Sequence, residues 1–114
     1  MSIIYKICDA AIWDEAVAGG RFRGAGIDLE DGYIHFSTAS QVEETAQRHF
    51  RNRPDLVLIA VETDGLAIMW EPSRGGDLFP HLYTDLPVTS AVSVAPLTCD
   101  DNGVPRPEGG YPAA

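Results

Sequence analysis

Short apolar runs along the chain predict several β-strands. Residues 2–8 (SIIYKIC) are rich in β-branched and aromatic side chains. Residues 55–62 (DLVLIAVE) form an uninterrupted apolar run, which makes them the best candidate for a central strand. Residues 33–37, 66–71 and 88–97 are also predicted to be strands, and residues 78–87 are expected to be partly extended and interrupted by prolines.

A first helix is predicted directly after the first strand. Asp9 precedes residues 10–20 (AAIWDEAVAGG), and its side chain is expected to cap the helix, while the two terminal glycines end it. Ile12 and Ala16, together with Trp13, supply the face that packs inward. The glycine-rich residues that follow, up to the turn before residue 33, are interpreted as a loop.

A second helix is predicted to begin at Thr38. Thr38 and Gln41 have the spacing of a capping box, in which the two ends of the motif satisfy each other's backbone donors. Apolar and small side chains then recur at helical spacing, and the helix is expected to end before Pro54. The recurring positions are Val42, Thr45, Ala46, His49 and Phe50.

The order of these elements predicts an α+β fold. Strands outnumber helices and do not alternate with them regularly, which favours a mostly antiparallel, split sheet with two or three helices. Because the chain has 114 residues, we assign residues 1–97 to a single domain with one core. Residues 98–114, rich in proline, glycine and acidic side chains, are expected to form a loose C-terminal tail.

The charge of the chain narrows the range of partners. Seventeen acidic residues against eight basic ones give a net charge of −9, which disfavours nucleic acid and anionic membranes. A local basic pocket is still compatible with a small nucleotide-like ligand. The N-terminal residues do not have the pattern of a signal peptide, and no segment has the length and apolarity of a membrane span, so we place the protein in the cytoplasm. Cys8 and Cys99 are therefore expected to be reduced, and Cys8 to be buried.

The predicted strand 33–37 (YIHFS) presents two different faces. Because side chains alternate along a strand, Ile34 and Phe36 belong to the core, while Tyr33, His35 and Ser37 share the other face. Phenol, imidazole and hydroxyl in a row are typical of a polar cleft. Two interpretations of the histidine stay open: a ring hydrogen-bonded to a neighbouring carbonyl, and a ring that contacts a ligand.

The residues that begin the second helix extend this candidate site. Thr38 either caps the helix or contacts a ligand, because its hydroxyl cannot easily do both. The free backbone amides of a helix N-terminus would favour an anionic group such as phosphate.

A second group of candidate residues lies in the segment 70–83 (WEPSRGGDLFPHLY). Glu71 ends a predicted strand beside a glycine-rich loop that carries Arg74, which is a usual position for an acid, a base or an orienting group. The alternative for Glu71 is a solvated strand end. His81 and Tyr83 follow at a period of two, which again indicates a cleft. Arg21 and Arg23, in the earlier glycine-rich loop, are open to the same two interpretations, phosphate binding and solvation.

Three other chemistries are not supported by the sequence. A metal site made of His35, Glu71 and His81 lacks short-range ligand spacing, so no metal is assigned. The G-x-S-x-G turn of serine hydrolases does not occur. Neither cysteine lies in a sequence context that would lower the pKa of its thiol.

Several of these stretches resemble a bacterial family known as domain of unknown function 952. The resemblance is carried by GYIHFSTASQVEETAQRHF, LVLIAVE, WEPSRGGDLFPHLY and the last strand, covers about Ile3 to Leu97, and includes Trp13. Such proteins are grouped by fold with the ADP-ribosyltransferases. The resemblance therefore implies a compact α+β core with a split, mostly antiparallel sheet, and its name implies no activity.

A second similarity suggests NAD as a substrate. The order HFS, ETA, RH, then an apolar strand, resembles the C-terminal half of RNA 2′-phosphotransferases, which are NAD-using members of the same fold group. It implies that His35 contacts the ribose of NAD, with Ser37 and Thr38 close to the nucleotide. It also implies that Glu71 holds a ribose hydroxyl, although transferases usually carry this glutamate on a later strand, where residues 88–94 (VTSAVSV) offer none. The arginines and N-terminal lobe of the RNA-processing relatives are largely missing, which argues against RNA.

Two classes of function follow. The first is an NAD-utilising ADP-ribosyltransferase or glycohydrolase-like enzyme with His35, Glu71 and His81 as catalytic residues. Its substrate-binding residues would be Tyr33, Ser37, Thr38, Arg74 and Tyr83. The second is a module that binds a small ligand or a protein in the same cleft without catalysis.

Overall fold

The computed structural model describes residues 2–113, apart from the side chain of Arg74. Three α-helices and nine strands are present within this range. In chain order they are β1 (Ile3–Asp9), α1 (Ala10–Gly19), β2 (Arg21–Phe22), α2 (Ile27–Asp31), β3 (Ile34–His35), α3 (Val42–His49), β4 (Leu56–Glu62), β5 (Met69–Pro72), β6 (Leu78–Leu82), β7 (Leu86–Pro87), β8 (Ala91–Cys99) and β9 (Pro105–Pro107).

The largest sheet has the strand order β1-β4-β8-β9, and all of its pairings are antiparallel. β4 is buried along almost its whole length, which confirms that residues 55–62 contain a central strand. α1 packs on one face of the sheet through Trp13 and Ala16, and α3 packs on the other through Val42 and Ala46. Helices on both faces explain why this strand is apolar without alternation, and the α+β class is confirmed.

A second sheet of three strands has the order β3-β6-β5. It is joined to β1 by an isolated antiparallel bridge, in which Tyr5 and Ser37 exchange backbone hydrogen bonds of 2.8 and 2.9 Å. Ile34 and Phe36 are buried in the core that α1 covers, as their alternation predicts. β3 covers only residues 34 and 35, so it is shorter than the predicted strand 33–37. The buried side chains lie on the face that was predicted for them.

Helix boundaries differ from the expectations at three places. The loop predicted after α1 contains β2 and the short helix α2. Asp9 does not cap α1 with its side chain, because its carboxylate pairs with Arg53 at 2.9 Å. α3 begins at Val42 and not at Thr38: the Gln41 side chain accepts a bond from the Thr38 amide, but the Thr38 hydroxyl turns to Ser40. One half of the capping box therefore forms, in a turn that precedes the helix.

The expectation of a loose C-terminal tail is wrong. β8 continues to Cys99, and β9 pairs with it at the edge of the sheet. Prolines at both ends of β9 are compatible with this place, because an edge strand tolerates missing backbone donors. Val104 is buried in the core beneath α3, and Arg106 reaches Glu43 on that helix.

No helix within residues 2–113 is long and apolar enough to cross a membrane. The cytoplasmic location stays a prediction.

Candidate functional site

A cleft of about 510 Å³ opens where the two sheets separate. Its walls come from β1, β3 and β6 and from the helices α2 and α3. A volume of this size lies within the range of small-molecule sites.

The separation of β1 from β3 creates the cleft. If the antiparallel pairing at Tyr5 and Ser37 continued, the next pair would be Ile7 and His35. Instead, side chains take up the backbone groups of His35: Asp28 accepts from its N–H at 3.1 Å, and Lys6 donates to its carbonyl at 2.9 Å. Two buried side chains thus replace one rung of the ladder and hold the strands apart.

Asp28 is the centre of this polar network. Its Oδ2 receives bonds from the Ala25 amide at 3.0 Å and from the Lys6 ammonium at 2.6 Å, and its Oδ1 faces the His35 ring as well as the His35 amide. Burial opposes the charge of the carboxylate, but the hydrogen bond with His35 and the charge of Lys6 outweigh it and lower the pKa of Asp28. The side chains of Asp28 and Lys6 are 0% and 8% exposed, so this is a buried ion pair.

The ring of His35 lies between two carboxylates. Its Nδ1 is 2.6 Å from Asp28 Oδ1, and its Nε2 is 2.9 Å from Asp31 Oδ2. A neutral imidazole carries one N–H and can donate to only one of these carboxylates. Both ring nitrogens of His35 are thus engaged by carboxylates of α2.

His81 lies directly across from His35 in the β3–β6 pairing, with the ring centroids 5.4 Å apart. Its Nδ1 is 2.8 Å from Glu71 Oε1, and the hydroxyl of Tyr83 donates to the same oxygen at 2.7 Å. These two hydrogen bonds, that from Tyr83 first, lower the pKa of Glu71, and the bond to Glu71 raises the pKa of Tyr83 to about 12. A carboxylate only accepts, so it selects the N–H on Nδ1 and leaves Nε2 of a neutral His81 as an acceptor.

Tyr33 connects the two histidines. Its ring centroid is 4.5 Å from that of His35, 4.4 Å from that of His81 and 4.9 Å from that of Tyr83. Burial raises the pKa of the Tyr33 hydroxyl, and the surrounding carboxylates Asp31, Glu71 and Asp28 raise it further. The mouth of the cleft is thus both aromatic and negatively charged.

Most of the predicted site residues meet in this cleft. His35, His81 and Tyr33 line it, and Glu71 and Tyr83 adjoin it through the contacts described. Ser37 also lines it, with its hydroxyl 2.8 Å from that of Thr45 on α3.

Four of the predicted ligand contacts are placed elsewhere or not described. Thr38 does not line the cleft, and the Arg74 side chain lies outside the described part of the chain. Arg23 is exposed beside Asp85 at 3.8 Å, and Arg21 is also exposed, so neither supports the phosphate-binding interpretation.

The sequence reasoning missed Lys6, Asp31 and Arg53, which line the cleft, and Asp28, which pairs with Lys6. A signal existed for Lys6, because a lysine in the middle of an apolar strand requires a partner when it is buried. The other three lie in segments interpreted as a loop or as the end of a helix, where an acidic or basic side chain is unremarkable.

Cys8 also lines the cleft but is not suited to nucleophilic attack. Burial raises the pKa of its thiol to about 11, so the thiolate is not formed at neutral pH. Among the described residues, no three histidine, cysteine or acidic side chains are arranged to hold a metal ion.

Residues 7–94 match the family described as "Protein of unknown function (DUF952)". The chain belongs to the DUF952 family. The crystal structure of protein CC0527 from Caulobacter crescentus is 48% identical in sequence, with a TM-score of 0.88 over 92% of this chain and 94% of that chain. The solution NMR structure of the same protein is 50% identical, with a TM-score of 0.82 over 92% of each chain. A search of curated proteins finds no match.

Proposed function

We propose that this DUF952 protein binds NAD in the cleft and cleaves its nicotinamide–ribose bond, as an ADP-ribosyltransferase-like or glycohydrolase-like enzyme. The observation that carries this proposal is the arrangement at the mouth of the cleft. There, His35 and His81 meet around Tyr33, with three carboxylates close by. We also propose that the split sheet belongs to the ADP-ribosyltransferase-like fold group.

Charge supports a reaction at the ribose. Breakage of the nicotinamide–ribose bond passes through an oxocarbenium-like state, in which positive charge develops on the sugar. Asp31 and Glu71 lie on the same side as Tyr33 and would stabilise that charge, while the tyrosine ring would stack on the nicotinamide. The nicotinamide leaves as a neutral molecule with the electrons of the broken bond.

A histidine base supports the second half of the reaction. When water attacks the ribose carbon, it must lose a proton, and Nε2 of His81 is an acceptor when Nδ1–H donates to Glu71. Glu71 therefore orients His81 and is a positioning residue for it. Arg53 on the cleft wall supplies a cation for the phosphates of NAD, although it is paired with Asp9.

One observation favours the non-catalytic alternative. Asp28, Glu71 and both nitrogens of His35 are engaged with one another, and such internal pairing is also what a rigid binding site requires. In this case the cleft binds a small ligand and no bond is broken.

A single pair of experiments separates the two functions. Labelled protein is titrated with NAD and with ADP-ribose by NMR, and nicotinamide release is measured on the same samples. We expect saturable shifts at Tyr33, Ser37 and the residues around His81, together with release of nicotinamide. His81→Gln is expected to bind NAD and to lose release, while His35→Ala loses binding.

Arg23→Gln, an exposed substitution outside the cleft, serves as the control and should match the wild type. An absence of shifts at millimolar NAD would rule out NAD. Binding without release would establish the non-catalytic module.

A further inference from the structure

The turn between β8 and β9 carries an asparagine followed directly by a glycine. Asn102 is exposed at this turn, and Gly103 has a left-handed φ of 82°. A Cβ at Gly103 would collide with the side chain of Asn52, so the turn requires glycine both for its backbone conformation and for this close approach. The glycine of this Asn–Gly pair is therefore fixed by the fold.

An asparagine before a glycine is able to lose its side-chain amide without an enzyme. The backbone nitrogen of the glycine attacks the side-chain carbonyl carbon, and a C–N bond forms as the side-chain nitrogen leaves. That nitrogen takes up the proton of the attacking N–H and departs as ammonia. Water then opens the resulting succinimide ring at either carbonyl, which gives aspartate or isoaspartate. In isoaspartate the main chain passes through the side-chain carbon atoms and is one carbon longer.

The folded turn exposes one reactant and restrains the other. Among residues 2–113, the hydrogen bonds of Asn102 are made by its backbone: the N–H donates to Asp100 Oδ1 at 2.8 Å, and the C=O accepts from Arg51 at 2.6 Å. Its exposed side-chain amide is therefore open to attack. The attacking N–H of Gly103, in contrast, donates to the Asp100 carbonyl at 2.9 Å. The nitrogen must leave this hydrogen bond before it reacts.

Two long-range hydrogen bonds hold the same part of the backbone in place. The Asn102 carbonyl, which belongs to the same peptide group as the Gly103 nitrogen, accepts from Arg51. The Gly103 carbonyl accepts from the Asn52 N–H at 2.7 Å. Both donors lie in the segment that follows α3, so the attacking nitrogen is held by tertiary contacts as well as by the turn itself.

We propose that Asn102 is a deamidation site that the folded turn protects, and that its conversion to isoaspartate releases β9 from the sheet. The additional main-chain carbon lies between β8 and β9 and displaces the Gly103 carbonyl from Asn52. The backbone of β9 resists this weakly, because its two prolines leave Arg106 as the source of its one N–H. The reaction consumes only water and is independent of the cleft, so the inference goes beyond the proposed function.

Deamidation rates test the protection. The protein is incubated in mildly alkaline buffer with and without urea, and peptide mass spectrometry follows the replacement of the Asn102 amide by a carboxylate. We expect the reaction to be at least tenfold slower in the folded protein than in urea. Arg51→Ala should react at least threefold faster than the folded wild type, whereas Arg48→Ala, which removes an exposed arginine from α3, should not. Asn52, which precedes an arginine, is the internal control and should react far more slowly in urea than Asn102.

Three outcomes would contradict the protection or the site. Equal rates in buffer and in urea would overturn the protection, and an unreacted Asn102 in urea would overturn the site itself. Equal rates in folded Arg51→Ala and wild type would overturn the part assigned to the contact from Arg51. If Arg51→Ala fails to fold, the comparison of the wild type in the two solvents decides.

Hydrogen exchange tests the release of β9. Protein that has reacted in urea is refolded, and its isoaspartate and aspartate forms are separated by chromatography. The Arg106 amide, whose residue pairs with Thr98, should exchange at least tenfold faster in the isoaspartate form than in the wild type. Asn102→Asp has the charge without the additional carbon and should exchange as the wild type does. The Ile59 amide in β4 should stay protected in every form, which shows that the fold is retained. Unchanged exchange of Arg106 in the isoaspartate form, or equally fast exchange in Asn102→Asp, would overturn the release.

Discussion

Two ionic networks hold distant parts of this chain together, and they differ mainly in burial. In the cleft, Lys6 and Asp28 form a pair whose side chains are 8% and 0% exposed. At the C-terminal segment, Arg106 pairs with Asp100 at 2.7 Å and with Glu43 on α3, and its side chain is 33% exposed. Both networks cross-link secondary structure elements, but the ion pair at Arg106 is much more exposed to water.

The difference in burial decides what each network does. An exposed ion pair contributes little, since water and salt screen it. A buried charge without its partner is strongly unfavourable, so Lys6 and Asp28 each depend on the other. Asp28 also takes up backbone donors, which ties the cleft geometry to the ion pair. The cleft network therefore specifies where the strands separate, whereas the C-terminal network only stabilises the C-terminal segment locally.

The largest expected effect is that of Asp28→Ala. The substitution leaves the Lys6 ammonium buried without its counter-charge, and the His35 and Ala25 amides lose their acceptor. We expect the free energy of unfolding to fall by about 3–5 kcal/mol, a large part of the stability of a small domain. Urea denaturation measures this loss.

Two further variants sharpen the interpretation of this loss. Asp14→Ala, at an exposed position of α1, should leave stability nearly unchanged. Lys6→Met combined with Asp28→Ala should recover part of the loss, because it removes the unpaired charge. If the double variant is less stable than Asp28→Ala alone, the ion pair is not the cause.

A smaller effect is expected from pH. The pKa of Asp28 is lower in the folded protein than in the unfolded chain, so the unfolded state binds more protons in acid. The stabilisation by the charged carboxylate is fully present above the pKa of Asp28 in the unfolded chain, about 4. It is lost as the pH falls through the lower pKa of Asp28 in the folded protein. The stability difference between wild type and Asp28→Asn should therefore shrink as pH is lowered from about 6 to 3. A stability difference that stays constant over this pH range would contradict the lowered pKa of Asp28.

The smallest effect is expected at the exposed network. Arg106→Ala should lower the free energy of unfolding by about 1 kcal/mol or less. Raising the salt concentration from about 0.1 to 1 M shortens the Debye length from about 10 to 3 Å, so the difference from wild type should decrease further. Thermal unfolding at the two salt concentrations measures it. A loss as large as that of Asp28→Ala would show that exposure does not separate the two networks.

Some features of the candidate site could be predicted from the sequence, and others could not. The face shared by Tyr33, His35 and Ser37 follows from the two-residue period of a strand, and all three line the cleft. The partners of His35 did not follow, because the bonds with Asp28 and Asp31 come from a short helix interpreted as a loop. A five-residue helix has too few residues to establish a period.

The sequence by itself determined the features that depend on neighbours along the chain. These are the central strand β4, the first helix with its C-cap at Gly20, which adopts a left-handed φ of 83°, and the assignment of Ile34 and Phe36 to the core. Local periodicity and the conformational preferences of single residues are sufficient for such features.

Only the tertiary structure decided where the two sheets separate, which histidines face each other, and how the C-terminal segment adds an edge strand. Lys6 meets the carbonyl of a residue 29 positions away, and His35 meets His81 across a strand pairing. Such contacts depend on strand order and register. A one-residue shift in register would turn every side chain of the strand to the opposite face. The site is thus a product of long-range packing acting on residues whose local pattern indicates only that they lie on a strand.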